Sequence, residues 1–284
     1  MLEVSSPGEH MRNCDDRDVV EQRQPREAIK VDGKWNPALC YIWHATVEEL
    51  QPFSSAAAGA LLDSTAAGGS TYLRGDMGTE GLALTGTYIR LEPLEHRHID
   101  GLVAAAAVDP SLYQWSPVPQ GKIEAIRYVD TALAWRNAGS AVPFAIVRTD
   151  DGVILGSTRF WNLEQWSWPP GHTLYGRLLP DACEIGYSWL SRPAIRTAAN
   201  TEAKLLMLTH AFETWQVLRV CFHTDARNKR SAAALERIGG KFEGVLRAHR
   251  MAADYIARDS MRYSIVASEW PDARRRLSQL LDRV

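Results

Sequence analysis

Between Ala182 and Glu243 the chain reads as a strand (Glu184–Leu190), a loop (Ser191–Ala199), a long helix (Asn200–Trp215), a second strand (Arg219–Thr224) and a short Asn-led helix (Asn228–Ile238). The long helix constrains the fold most. Ala203, Leu205, Leu206, Met207, Leu208, Ala211, Phe212 and Trp215 leave it apolar nearly all round, and such a helix is stable only when buried, here against a sheet. The turn that feeds it, Arg192-Pro-Ala-Ile-Arg-Thr-Ala-Ala-Asn-Thr-Glu202, puts unpaired backbone amides at a helix N-terminus. Free N–H groups and the helix dipole both favour an anion there.

The 284 residues suffice for one large domain or two small ones. Cys14, Cys40, Cys183 and Cys221 show no metal-like spacing and no short-range pairing, which points to a reducing compartment and away from a disulfide framework. No apolar stretch approaches the ~20 residues that span a bilayer, and the N-terminus lacks the basic-then-apolar pattern of a signal peptide. The expectation is a cytoplasmic protein with no membrane partner. A net charge of −2 gives no case for nucleic acid. Residues 1–76 hold seven Lys/Arg against twelve Asp/Glu, a net of −5, which leaves +3 on the remainder.

Residues 1–80 read as a disordered or non-native extension. Cys14–Glu27 is charge-dense without period, Ser54–Ser70 is an Ala/Gly/Ser/Thr run, and only Trp35–Trp43 has packing potential. Met77 is a candidate true start. Residues 81–284 carry the fold. Thr87–Leu94 is a short strand, His98–Val108 and Ile123–Asn137 are helices, and Asp150-Asp-Gly152 joins Pro143–Arg148 to Val153–Phe160 as a hairpin. Trp161–Cys183 is an aromatic connection broken at Pro169-Pro-Gly171. Ile185, Tyr187 and Trp189 then face one way and Glu184, Gly186 and Ser188 the other. Lys241–Arg250 and Met261–Val266 form a last strand pair before a helix opened by Pro271. Hairpins mixed with one crossover helix give an α+β class.

In this order, Glu184-Ile-Gly-Tyr-Ser-Trp-Leu190, Asn200-Thr-Glu-Ala-Lys-Leu205, His210-Ala-Phe212, Thr224-Asp-Ala-Arg-Asn-Lys-Arg-Ser231, Glu236-Arg-Ile-Gly239 and Phe242-Glu-Gly244 resemble the GNAT superfamily of acyl-CoA-dependent N-acyltransferases, in its RimJ/RimL-type branch. The resemblance implies a mixed, mostly antiparallel twisted sheet, helices on both faces and a splayed central strand pair that admits acetyl-CoA. It implies pyrophosphate binding by Ile195, Arg196, Thr197, Ala198, Ala199 and Asn200, with Asn228 and Ser231 near the pantetheine arm. No metal is implied. Against the family's Q/R-x-x-G-x-G/A loop, Ile195 replaces the polar residue, and Ala198 and Asn200 replace the small ones. Glycine there would supply close approach and unusual φ. Asn228 and Ser231 also fit a plain helix cap, as Ncap and N3.

Acyl transfer to an amine needs a proton acceptor and an oxyanion donor. The resemblance places the oxyanion contact on a backbone N–H near Trp189 and Leu190. Glu184 is the first candidate base, since a carboxylate beside apolar rings has a raised pKa. The alternative for Glu184 is a pair with an arginine such as Arg159. His223 on the neighbouring strand is the rival base, and Tyr187 a candidate donor to the leaving thiolate, although its phase points to the core. His96, His98, His172 and His249 lack partner spacing. Trp115 and the Trp-rich connection are expected to flank the acceptor side. The acceptor is an amine, on a protein N-terminus or a small molecule. A second possibility is an acyl-CoA-binding scaffold that has lost turnover.

Overall fold

The computed structural model describes residues 81–283 together with one strand pair nearer the N-terminus. That pair belongs to a separate unit, in which β1 (Lys30–Val31) runs antiparallel to β2 (Lys34–Trp35). The intervening Asp32-Gly33 is a dipeptide that tight hairpins favour, a signal overlooked in the sequence. The other readings of residues 1–80 lie outside the described residues.

The second unit runs β3 (Leu84–Thr85), β4 (Ile89–Pro93), α1 (Ile99–Ala107), α2 (Gly121–Asn137), β5 (Ala141–Arg148), β6 (Ile154–Glu164), β7 (Ala182–Leu190), α3 (Ala199–Thr209), β8 (Arg219–Asp225), α4 (Lys229–Arg237), β9 (Lys241–Met251), β10 (Ala257–Val266) and α5 (Trp270–Leu281). One sheet carries the strands in the order β3-β4-β5-β6-β7-β8-β10-β9. Every neighbouring pair is antiparallel except β7 and β8, which the crossover helix α3 makes parallel. The expected α+β sheet is therefore present, with helices on both faces.

The two faces have separate cores. On one, α3, α4 and α5 cover Phe144, Ile146, Phe160, Ile185, Val220, Phe222 and Ile265. On the other, α1 and α2 cover Ala145, Val147 and Trp189. Helix α2 buries Ala125, Val129 and Ala132 and leaves Ile126 exposed. Helix α3 is shorter than the sequence pattern predicts, because the chain widens into a π turn at His210–Thr214. The Trp215 amide bonds His210 O at 2.9 Å across it. This extra residue rotates Trp215 into the core, 1% exposed and 4.6 Å from the Phe160 ring. At the other end of α3, Glu202 is buried and accepts from the amides of Thr87, Tyr88 and Ile89 at 2.7, 2.8 and 2.8 Å.

The simple alternation expected along β7 is wrong. Register with β6 slips between the pairs Arg159↔Gly186 and Ser157↔Trp189, so two β7 residues oppose one of β6. This bulge carries Tyr187 at φ 52°, and a bulge reverses the side-chain phase beyond it. Ile185 consequently packs under α3, whereas Trp189 packs under α1 and α2. Strand β6 also runs on to Glu164, so Trp161 is a strand residue and only 165–181 form the aromatic connection.

Candidate active site

Strands β7 and β8 pair over three rungs only: Ala182 with Arg219, Cys183 with Val220 and Glu184 with Cys221. Beyond Glu184 they separate, and a cleft opens between the two at the centre of the sheet. Loop 191–198 sits beyond the end of β7. A short turn (Arg192–Ala194) leads to Ile195 in extended conformation and Arg196 at φ 66°. Thr197 Oγ1 donates to Ala194 O at 2.8 Å and accepts from the Ala199 amide at 3.3 Å. Ala198, at φ −59° and ψ −26°, is already helical. The unusual φ expected at the substituted glycine positions therefore falls on Arg196, and Ala198 needs no glycine. Ala198 and Ala199 are buried, and Asn200 lies in the first turn of α3. Beyond Ala199, whose amide is taken by Thr197 Oγ1, the amides of the first turn have no intrahelical acceptor and suit an anion.

On the α1–α2 face, Glu184 stands at the rung where the cleft begins, 2% exposed. Arg250 of β9 donates to it from Nη1 and Nη2 at 3.3 and 3.1 Å. His223 Nδ1 lies 3.0 Å from Oε2, but neither ring nitrogen is aligned for a hydrogen bond. Burial alone would raise the Glu184 carboxyl, but His223 and Arg250 outweigh it and hold the group down at about 2. The raised carboxyl expected for a general base is thus corrected: Glu184 is an ion-paired carboxylate. Its partner is Arg250, 66 residues away, and not Arg159. A methyl at Gly186 would meet Glu184 Oε1 and Trp161 Nε1 at 3.4 Å, an ordinary contact distance, which places both groups beside this rung.

The acetyltransferase (GNAT) domain model matches residues 89–241. The chain belongs to the GNAT acetyltransferase family. Among solved structures, a protein described as an acetyltransferase from T. thermophilus is 32% identical over 70% of this chain and 96% of its own, at a TM-score of 0.56. A GCN5-related N-acetyltransferase from Brucella melitensis is 26% identical over 71% and 86%, at 0.60. RimJ of Mycobacterium smegmatis, solved with CoA-disulfide, is 20% identical over 71% and 95%, at 0.59, and shares the fold. No curated protein matches the sequence.

The remaining candidates of this GNAT domain divide clearly. His223 joins Glu184 at the mouth of the cleft, its ring 4.8 Å from that of His249. His249, read as chemically idle, is therefore part of the cluster. Burial, with Arg250 and His223 nearby, pushes its imidazole down to about 4, so it is neutral at pH 7. Tyr187, expected in the core, is turned by the bulge toward Trp135 and Trp161, with ring centroids 5.5 and 5.4 Å away. Trp189 packs edge-on against Tyr113 at 5.7 Å, and the Tyr113 hydroxyl donates to Leu190 O at 3.0 Å. Asn228 is the N-cap of α4, its Oδ1 accepting from the Ser231 amide at 3.0 Å, which leaves its amide nitrogen for a ligand.

Trp115 lies under Arg227 at 4.1 Å, and Trp168 donates to Asp181 while stacking on His172. Of the aromatic connection as first read, Trp161 alone meets the Glu184 cluster. Sequence reasoning missed Trp135, Arg159, His249 and Arg250 as site residues. One signal was available: Ser157, Arg159 and Trp161 alternate with Thr158 and Phe160, so a cation sits on one face of an otherwise buried strand.

Proposed function

We propose that this protein is an N-acetyltransferase that passes acetyl from acetyl-CoA to a primary amine by direct attack. The observation that carries this reading is the parallel pair β7/β8, which parts after Glu184 and leads into the N-terminus of α3. The pyrophosphate lies on the amides of residues 195–200, and Arg196, exposed in the loop, adds positive charge. Asn228 and Ser231 flank the pantetheine arm from the far side of the cleft. The amine lone pair attacks the thioester carbonyl, the C–N bond forms and the C–S bond breaks. Backbone N–H groups near Trp189 and Leu190 hold the developing oxyanion.

The proton from the amine goes to His223, whose ring nitrogens have no hydrogen-bond partner. Glu184 Oε2 lies 3.0 Å from Nδ1 of that ring and orients it, as a carboxylate does in other base–carboxylate pairs. Tyr187 stands at the bulge to protonate the leaving thiolate. The buried, unpaired Cys183 and Cys221 fit work in a reducing compartment such as the cytoplasm. Thermal shift with acetyl-CoA, followed by thiol release with a panel of amines and peptides, tests the proposal. A shift with acetyl-CoA-dependent thiol release is expected. Absence of any shift overturns the donor assignment, and a shift without turnover on any amine reduces the protein to an acyl-CoA-binding scaffold.

A further inference from the structure

Arg159 of β6 is a buried cation whose burial calls for an explanation. It is 1% exposed, yet Nε and Nη2 have no hydrogen-bond partner, and among the described residues no carboxylate lies within ion-pair distance of it. Three rings cover it, with the guanidinium carbon 4.9 Å from the Tyr128 centroid, 5.3 Å from Trp135 and 4.2 Å from Tyr187. Cation–π contact offsets part of the cost of burying a cation, but the unmade hydrogen bonds remain. Two residues along the same strand and on the same face, Trp161 has a buried Nε1 that is also without a partner. Its ring meets the same two neighbours, Trp135 at 5.7 Å and Tyr187 at 5.4 Å. Arg250 lies over the other side of Trp161 at 4.5 Å. The carboxylate of this wall, Glu184, is already held by Arg250 and His223. Unmet donors of two residues, two positions apart on one face of β6, therefore stand in a wall with more positive charge than negative.

We propose that Arg159 and Trp161 form a carboxylate seat for the acceptor, so that the amine acetylated here carries a carboxylate a few bonds from its nitrogen. This rests on the acetyltransferase reading above. The planar guanidinium and the indole N–H suit two oxygens of one carboxylate, and the aromatic box excludes the water that would otherwise weaken the contact. Polyamines and other polycations are disfavoured by the same wall. The carboxylate comes from a free amino acid or from an acidic first side chain of a polypeptide, and both present the same chemistry.

The full chain is assayed with acetyl-CoA and matched acceptors: amino acids, their carboxamides, their decarboxylated amines, and peptide amides beginning with aspartate. The carboxylate member of each set is expected to exceed its neutral partners in kcat/KM by about 10- to 100-fold, the worth of a charge-assisted hydrogen bond. Superiority of the Asp-peptide over free amino acids assigns the carboxylate to a polypeptide, and the reverse assigns it to a small molecule. Equal or better use of neutral amines overturns the seat. Arg159→Met is expected to abolish the preference while the acetyl-CoA thermal shift is kept, and an equal loss on all acceptors also overturns the seat. Where that variant fails to fold, calorimetry on the wild-type chain decides: N-acetylglycine binds and N-acetylglycinamide does not, or the proposal is wrong. The calorimetric outcome is independent of turnover. Loss of both acetyl-CoA binding and turnover in the wild type refutes the underlying acetyltransferase reading instead.

Discussion

On the α3 face Lys204 is 5% exposed and donates to Ser188 Oγ at 2.8 Å. On the α1–α2 face Glu184 is 2% exposed and meets an arginine and a histidine. Similar burial has opposite results. With no counter-charge, desolvation pushes the Lys204 amine down to about 7. With Arg250 and His223 beside it, the Glu184 carboxyl is held at about 2 despite desolvation. One face tolerates an ionisable group by letting it become neutral, and the other preserves its charges by setting them against each other. The proposed proton transfer to His223 uses the second face, where the Glu184 cluster stands at the last β7–β8 rung.

The largest effect is expected at His223. Replacement by Gln lowers kcat by about 10²- to 10⁴-fold, the usual worth of a general base, and leaves the acetyl-CoA thermal shift in place. Full activity in that variant would put proton transfer elsewhere and strip the charged face of its function. Glu184→Gln comes next. Breaking one partner out of a buried pair costs roughly 3–5 kcal/mol, read by urea unfolding at pH 7. Because the folded carboxyl lies below its ordinary 4.5, its contribution is full above that value and is lost as pH falls toward about 2. The variant should lack that acid limb.

Lys204→Met should do the reverse. The folded amine sheds its proton from about 7, while the unfolded one keeps it to 10.5. The unfolded state therefore binds more protons in that window, and wild-type stability rises with pH across it. The methionine variant should be more stable at pH 7, by on the order of a few kcal/mol, and flat through that window. A destabilised variant would show that the lysine is held as a useful ion and would erase the contrast between faces. The smallest effect is at the loop that joins them. Arg196→Gly relieves a left-handed φ and should raise stability by about 1 kcal/mol, seen as a higher Tm of the free protein, while loss of the loop's charge weakens the acetyl-CoA thermal shift.

The crossover unit was legible because it rests on local pattern: an apolar helix, a capped short helix at Asn228, and alternation along the flanking strands. The parallel pairing and the order of the sheet follow from it. The bulge at Tyr187 was marked only by Gly186 beside it, since a glycine inside a strand often signals a bulge, and one slipped rung moved Tyr187 out of the core and set Trp189 on the face opposite Ile185. The electrostatics of Glu184 were hidden for another reason. Its partner Arg250 arrives from β9, beyond α3, β8 and α4, and long-range pairing leaves no local signature. The wall around Arg159 lay between these cases, marked by its strand phase and left unread.

Glu202 has a further bearing, on how the chain is made. Its carboxylate closes the start of β4 by binding amides 113 to 115 residues earlier. A ribosome adding about 5–20 residues per second takes roughly 6–20 s to supply that carboxylate. Through that interval β4 waits without its lock, next to partners still being synthesised. The start of β4 is therefore most exposed to proteases and to wrong strand pairing until the first turn of α3, which holds Glu202, has been made.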